Sequence, residues 1–140
     1  RVRYGIVGDP KVSIVIPFKD KIELLKKALP SILENTEYES YEIVLVDNQS
    51  REQKTIEYLK EISQNEKIRV LKYDKPYHFG KINNWAVDQI DSDHMLMLNN
   101  DIEVLNKGWL TSMLELSQLP EVGLVGASFT IQMVKYSTQE

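Results

Sequence analysis

Four aspartates follow short apolar runs of the sequence, and carboxylates at such positions could act together on one ligand. They are Asp20, Asp47, Asp74 and Asp101. Short apolar runs predict β-strands, and in an open parallel sheet the carboxyl ends of the strands meet at one edge, where ligands bind. Any single one of these aspartates could equally be an ordinary helix N-cap or turn residue. For all four together, mutual repulsion favours a cation or a polar ligand at this edge.

Three oxygen-bearing side chains stand in a row directly after the fourth apolar run. They are Asn99, Asn100 and Asp101. Hard oxygen ligands suit Mg or Mn, and these ions usually bind through one or two carboxylates together with substrate phosphates. The triplet therefore predicts a divalent cation, Mn or Mg, that bridges to a diphosphate.

The elements that would position these side chains alternate along the chain. β-Branched runs are followed by longer stretches of helical period, which predicts βαβ units and a mostly parallel sheet. Strands are predicted at residues 12–16, 42–47, 68–73, 94–98 and 122–127. Helical periodicity follows each of the first four strands, whereas residues 132–140 carry no clear pattern.

Two local signals bear on the predicted helices. Pro30 lies inside the first helical stretch, so that helix either kinks there or restarts as a separate turn. Ser50 and Gln53 have the spacing of a capping box, which predicts the start of the second helix.

Length and composition bound the class of protein. The chain has 140 residues, 42% hydrophobic and 27% charged, with a net charge of −4, which is typical of one globular domain over residues 1–140. The absence of cysteine excludes disulfide scaffolds, thiolate zinc sites and cysteine nucleophiles. There is no long basic stripe and no apolar run of roughly 18 residues, so neither a nucleic-acid surface nor a membrane span is expected.

Missing motifs narrow the chemistry further. The turn after the first strand reads Pro17-Phe18-Lys19-Asp20 and contains no glycine, which disfavours dinucleotide redox chemistry. The sequence also lacks a GxxxxGK[ST] phosphate loop and a GxSxG nucleophile elbow. A metal-bridged diphosphate remains the ligand that fits the edge.

The sequence resembles the family 2 glycosyltransferases of the GT-A fold, over residues 11 to about 129. The segments that carry the resemblance are KVSIVIP at 11–17, YEIVLVDNQS at 41–50, PYHFGKINN at 76–84, LNNDIEV at 98–104, WL at 109–110 and VGLVGA at 122–127. Bacterial enzymes that build O-antigen and capsule polysaccharide are the nearest in character. The resemblance implies a three-layer α/β/α sandwich with a mostly parallel sheet.

The resemblance also implies roles for residues of the first two strand ends. Pro17 and Phe18 match the loop that lies along the nucleotide base. Asp47 matches the acid that hydrogen-bonds the base, usually uracil, and a carboxylate can indeed accept from a ring N–H. Asp20 is counted with them as a substrate-binding residue.

The triplet at residues 99–101 matches the family's Asp-x-Asp element. Its first position, Asn99, would contact the ribose, and Asp101 would hold the metal on the diphosphate. Asn100, the middle position, is counted with Asn99 as a substrate-binding residue. Because Asn99 replaces an aspartate, one carboxylate fewer predicts weaker metal binding in the empty site.

The third helix supplies the remaining predicted donor contacts, which are Gly80, Lys81, Asn83 and Asn84. Asn84 matches an asparagine of the family, whereas Asn83 stands where many members have arginine. Lys81 could provide that positive charge to the diphosphate, or it could be an ordinary solvated lysine. We expect His78, in the preceding loop, to make only an incidental polar contact.

Family 2 enzymes resembling this chain invert the anomeric centre. A carboxylate base deprotonates the acceptor hydroxyl, which attacks the anomeric carbon while the cation stabilises the departing diphosphate. In the family this base lies downstream of the fifth strand. We therefore expect no catalytic residue within residues 1–140, and a chain that binds donor without useful transfer. Because the chain begins at Arg1, we expect it to be part of a longer protein.

The expected partners follow from the same resemblance. They are a UDP-sugar donor and a glycan or lipid-linked glycan acceptor, with a cytoplasmic location or one at the inner face of the membrane, and no nucleic acid. Self-association of the truncated domain is expected through apolar residues near the C-terminal end, namely Phe129, Ile131, Met133 and Val134.

The sequence bears on three other functions. A phosphoacceptor receiver domain would need adjacent acids after the first strand and a lysine after the fifth, and the sequence has neither. A nucleotidyltransferase of similar fold would need a glycine-rich basic loop after the first strand, which is absent. A non-catalytic sugar-nucleotide binding remnant stays open as an alternative.

Overall fold

The computed structural model describes residues 6, 8–117, 124–126 and 132–135. Six strands and four helices are placed within these residues. In chain order they are β1 Val12–Phe18, α1 Ile22–Glu34, β2 Tyr41–Asp47, α2 Gln53–Ile62, β3 Ile68–Lys72, α3 Phe79–Gln89, β4 His94–Met97, α4 Trp109–Ser117, β5 Leu124–Gly126 and β6 Gln132–Lys135.

The strands form one sheet in the order β3-β2-β1-β4-β6-β5. The first four strands are mutually parallel, as βαβ crossovers require. Strand β6 pairs antiparallel with both β4 and β5, so it alone among the described strands runs in the opposite direction. The predicted mostly parallel sheet is confirmed, and β1 lies between β2 and β4.

Helices cover both faces of the sheet and make three layers. Successive side chains of a strand point to opposite faces, so Ile14 and Ile16 face the cluster that contains α1, α2 and α4. Val15 faces a second cluster, which contains Ile82 and Ala86 of α3. Because both faces are covered, β1 and β2 read as nearly unbroken apolar runs. The expected α/β/α sandwich is confirmed.

The structure answers the open question about Pro30, and it contains one strand that the sequence did not predict. Helix α1 continues through Pro30, which is exposed, as is Lys26, whose carbonyl would otherwise receive the missing N–H. Strand β6 lies within residues 132–140, for which no pattern was predicted. This strand pairs with β4, which lies far from it in sequence, and such long-range pairing leaves little local signal in a four-residue strand.

Some of the predicted features fall on residues that the structure does not describe. Phe129 and Ile131, two of the expected self-association residues, lie outside the described residues, and so do the ends of the predicted strand 122–127. In the part of the chain that the structure describes, no helix is long and apolar enough to cross a membrane.

Candidate functional site

The carboxyl ends of the central strands bring the predicted residues to one edge. Phe18 pairs with Asp47 at the ends of β1 and β2. Strand β4 ends beside β1, where the Leu98 N–H donates to the Val15 carbonyl over 2.9 Å. Since neighbouring strands lie about 4.8 Å apart, the loops after β2 and β4 are separated by about 10 Å, with β1 between them. Asp47, which is predicted to bind the base, and Asp101, which is predicted to hold the metal, therefore follow strands that end at the same edge of the sheet.

Asp47 is fixed by the turn that follows β2. The residue is 7% exposed, and its Oδ1 accepts the Ser50 N–H over 2.9 Å. Gln49 completes the tight turn with a positive φ of 65°, and the Asn48 N–H donates to the Phe18 carbonyl over 2.8 Å. The carboxylate is thus held in one orientation at the end of the strand.

Asn48 connects this turn to the loop after β3. Its side chain is buried, and Nδ2 donates to the Tyr73 carbonyl over 3.1 Å and to the Lys75 carbonyl over 2.7 Å. The Tyr73 N–H in turn donates to the Asp47 carbonyl over 2.9 Å. Sequence reasoning assigned Asn48 no role, although an Asx-rich turn directly after a buried strand was a usable signal.

Asp20 caps α2 from a different loop. Its carboxylate accepts the Glu52 N–H over 3.1 Å and the Thr55 Oγ1–H over 3.0 Å. The Arg51 N–H lies 3.2 and 3.3 Å from its two oxygens. Burial alone would raise the pKa of Asp20, but the hydrogen bonds from Glu52, Arg51 and Thr55 outweigh it and lower the pKa. A substrate contact by Asp20 stays a prediction.

The capping box predicted from Ser50 and Gln53 is wrong. The N-cap of α2 is Glu52, and its own side chain makes no capping hydrogen bond. Ser50 Oγ instead accepts the Asp20 N–H over 2.7 Å. The hydroxyl is used to hold Asp20, whose carboxylate then satisfies the first N–H groups of the helix.

The start of α3 carries several predicted donor contacts. His78 is the N-cap, and its Nδ1 accepts the Lys81 N–H over 3.2 Å. A Cβ on Gly80 would lie 3.4 Å from His78 Cε1, an ordinary contact, so the fold itself does not require glycine there. Lys81 and Asn84 are exposed, whereas Asn83 Oδ1 is buried and has no hydrogen-bond partner among the described residues.

The predicted metal triplet lies in the turn after β4. Asn99 and Asp101 are exposed, and Asn100 is half-buried. Asp101 and Glu103 line a cavity of about 260 Å³ against Lys27 of α1. Within the described ranges, no cluster of three or more His, Cys, Asp or Glu side chains could hold a metal by itself. One carboxylate with neighbouring amide oxygens fits an ion that completes its coordination with water and phosphate.

A second cavity, of about 480 Å³, opens beside Asp47. Ser50, Leu59 and Lys72 are among the residues that line it. It lies between α2 and β3, the outermost strand at that end of the sheet. A buried, oriented carboxylate therefore borders a space large enough for a ring system.

Residues 13–139 match a protein family described as "Glycosyl transferase family 2". Two curated relatives are similar in sequence. The chain is 41% identical over 126 residues to the O-antigen biosynthesis protein RfbC of Myxococcus xanthus. It is 38% identical over 128 residues to the uncharacterized protein y4gI of Sinorhizobium fredii. These matches cover 90% and 91% of the chain but only 10% and 14% of the two relatives.

Solved structures share the fold. The mannosyltransferase PcManGT of Pyrobaculum calidifontis, in complex with GDP-Man and Mn²⁺, superposes with a TM-score of 0.79 at 14% identity, over 96% of this chain and 48% of that one. TarS of S. aureus, residues 1–349, gives a TM-score of 0.60 at 23% identity, over 72% and 30%. The family and fold inferred from the sequence are thereby confirmed: the chain belongs to glycosyl transferase family 2 and adopts the GT-A fold.

Proposed function

We propose that this chain is the donor-binding part of a glycosyltransferase and holds a nucleoside-diphosphate sugar across the carboxyl edge of the sheet. One observation carries the proposal. Asp47 ends β2 and residues 99–101 follow β4, and these two strands pair with β1 on either side, so both groups lie at one edge with a lateral spacing of about 10 Å between their strands. An elongated ligand with a base at one end and a diphosphate at the other suits that separation.

Asp47 binds the base in this proposal. Because the Ser50 N–H fixes Oδ1, the carboxylate presents a defined acceptor to a ring N–H, and its burial strengthens such a hydrogen bond. Uracil, with one ring N–H between two carbonyls, is the proposed base, so a UDP-sugar is the proposed donor. Pro17 and Phe18 end β1 beside Asp47 and are proposed to line the base; Phe18 would do so through its backbone, because its side chain is buried in the core.

Asp101 holds the divalent cation, Mn or Mg, in this proposal. When bound, the cation would neutralise charge on the departing diphosphate. Asn99 contacts the ribose, and Asn100 orients the turn. PcManGT was solved with GDP-Man and Mn²⁺, and TarS was also solved with UDP-GlcNAc. Those complexes support a nucleotide sugar and a divalent cation here.

Helix α3 contributes to the diphosphate side. The helix begins directly after the loop that follows β3, and the N-terminus of a helix favours an anion. The exposed Lys81 adds a positive charge. Gly80 lets the backbone approach the donor, and the amides of Asn83 and Asn84 complete the polar lining.

The whole reaction requires more than these residues. We infer an inverting transfer in which the longer protein supplies the carboxylate base that deprotonates the acceptor hydroxyl. The acceptor is a glycan of a bacterial surface polysaccharide. The M. xanthus relative, an O-antigen biosynthesis protein, supports this, although the chain spans only 10% of its length.

The proposal is tested by calorimetry of UDP binding with and without Mn²⁺. The parent chain should bind UDP in a Mn-dependent way, and Asp101→Ala should lose that dependence. Asp88→Ala is the matched control, because Asp88 is an exposed aspartate on α3. UDP and Mn²⁺ binding by Asp101→Ala equal to that of the parent would refute the metal assignment. No binding of UDP or GDP by the parent would refute the donor site as a whole.

A further inference from the structure

Two aromatic side chains are exposed at the start of α3, one in the loop before the helix and one at its first residue. Tyr77 is 60% exposed and Phe79 is 48% exposed. His78 between them has an extended backbone, with φ −153° and ψ 113°. Because only one residue separates them, the Cα atoms of Tyr77 and Phe79 are at most about 7 Å apart. We call these two residues the aromatic pair.

Hydrogen bonds hold the segment that carries the aromatic pair on both sides. On one side, Asn48 Nδ2 donates to the Lys75 carbonyl over 2.7 Å. On the other, His78 caps α3 through its Nδ1, and its carbonyl accepts the Ile82 N–H over 2.9 Å. The pair is therefore displayed on an ordered backbone, which lowers the entropy that a ligand must remove on binding.

The surroundings of the aromatic pair are polar. Asp74, Lys75, Lys81 and Asn84 are exposed neighbours in sequence. A protein interface usually needs a wider apolar area than two rings provide. Two rings bordered by charged and amide groups match a smaller ligand that has one apolar face and a rim of hydrogen-bonding groups.

A pyranose ring has this combination, with C–H groups on its face and hydroxyls on its rim. We propose that Tyr77 and Phe79 form a stacking site for a pyranose ring of the enzyme's sugar substrates. The loop follows β3 at the same edge that carries Asp47 and Asp101, which is the edge where the donor is proposed to bind. This inference rests on the proposed function for the source of the sugar, which is either the donor or the glycan acceptor.

The test measures sugar binding separately from nucleotide binding. Affinities for UDP and for UDP-GlcNAc, each with Mn²⁺, are determined for the parent, Tyr77→Ala, Phe79→Ala and Tyr77→Phe. Saturation-transfer NMR with chitobiose, a disaccharide free of nucleotide, forms the second arm. Leu105→Ala is the control, because Leu105 is 81% exposed and follows Val104, whose carbonyl is held by Asn35 at the far end of α1. Circular dichroism checks that each variant is folded.

Either alanine variant should weaken one sugar ligand by roughly three- to tenfold, the range for losing an aromatic contact, while Tyr77→Phe and Leu105→Ala leave it unchanged. A loss confined to UDP-GlcNAc, with UDP unchanged, identifies the donor's sugar. A loss of transfer signal from chitobiose identifies the acceptor. Unchanged binding in both arms overturns the proposal, as does equal weakening of UDP and UDP-GlcNAc, which would mean base stacking. The chitobiose arm does not depend on nucleotide binding, so it distinguishes failure of this inference from failure of the donor site.

Discussion

The carboxylate of Asp20 accepts the backbone N–H of Glu52, 3.1 Å away, although the two residues belong to different loops. Asp20 thus caps α2 although α1 and β2 separate the two in the chain. Asp20 also has a positive φ of 49°, which aspartate and asparagine tolerate better than alanine does. We expect Asp20→Ala to lower the free energy of unfolding by about 2 to 3 kcal/mol, from loss of the cap and backbone strain.

Urea unfolding of three chains measures this effect. Asp20→Asn retains an oxygen acceptor and tolerates the same backbone, so it should lose less than about 1 kcal/mol. Asp88→Ala controls for removal of an exposed aspartate. Equal destabilisation by the alanine and asparagine variants would show that the charge of Asp20, rather than its capping geometry, stabilises α2.

The stability contributed by the Asp20 charge should depend on pH. Burial opposes the effect, but hydrogen bonds from Glu52, Arg51 and Thr55 lower the folded pKa below the ordinary 3.8. A carboxyl with a lowered folded pKa stabilises fully above its unfolded pKa and ceases to do so as the pH falls through the folded value. The difference in unfolding free energy between the parent and Asp20→Asn should therefore be constant from pH 7 to about 5 and shrink below 3.8. A difference that grows in acid would contradict the assigned direction.

The capping of α2 shows where sequence reasoning reaches its limit. The Ser50 and Gln53 spacing was a genuine local pattern, yet Ser50 Oγ accepts the Asp20 N–H instead. Which of two nearby acceptors caps a helix depends on how the loops after β1 and β2 meet. That meeting is set by the pairing of Phe18 with Asp47, and a local motif does not report it.

Asp47→Asn should weaken UDP binding by about 1 to 3 kcal/mol while the fold is retained. The amide oxygen can still accept the Ser50 N–H that Oδ1 now accepts. Its NH₂ group then faces the base, where a donor would meet the donating ring N–H. Calorimetry of UDP with Mn²⁺ checks the loss, and the Mn dependence should survive.

Two comparisons make the Asp47 result specific. Binding of Mn-pyrophosphate, which has no base, should be unaffected by Asp47→Asn. Asp74→Asn removes an exposed carboxylate from the loop after β3 and should leave UDP binding near that of the parent. If pyrophosphate weakened as much as UDP, Asp47 would act on the phosphate end or on the fold.

Much of the candidate site was predictable because it depends on topology. Alternating strands and helices predict which strand ends share an edge, and this placed Asp47 and Asp101 together. The polar network could not be predicted in the same way. Asn48 reaches the carbonyls of Tyr73 and Lys75, which lie 25 and 27 residues away in sequence, and no periodicity encodes such a contact.

Asn48 is expected to hold the loop between β3 and α3 in place through the Tyr73 and Lys75 carbonyls, and its removal should show this directly. Asn48→Ala leaves two carbonyls without their donor near a buried position, which should lower the free energy of unfolding by about 2 to 3 kcal/mol. Amide hydrogen exchange should accelerate at residues 74–81 more than in α1, because one tether of the loop is lost. Asn48→Asp should not rescue either property, since a carboxylate cannot donate to carbonyls and lies next to Asp47. Gln89→Ala, which removes an exposed amide of α3, should change neither. Uniform acceleration of exchange throughout the chain by Asn48→Ala would mean that Asn48 stabilises the fold globally and does not specifically position this loop.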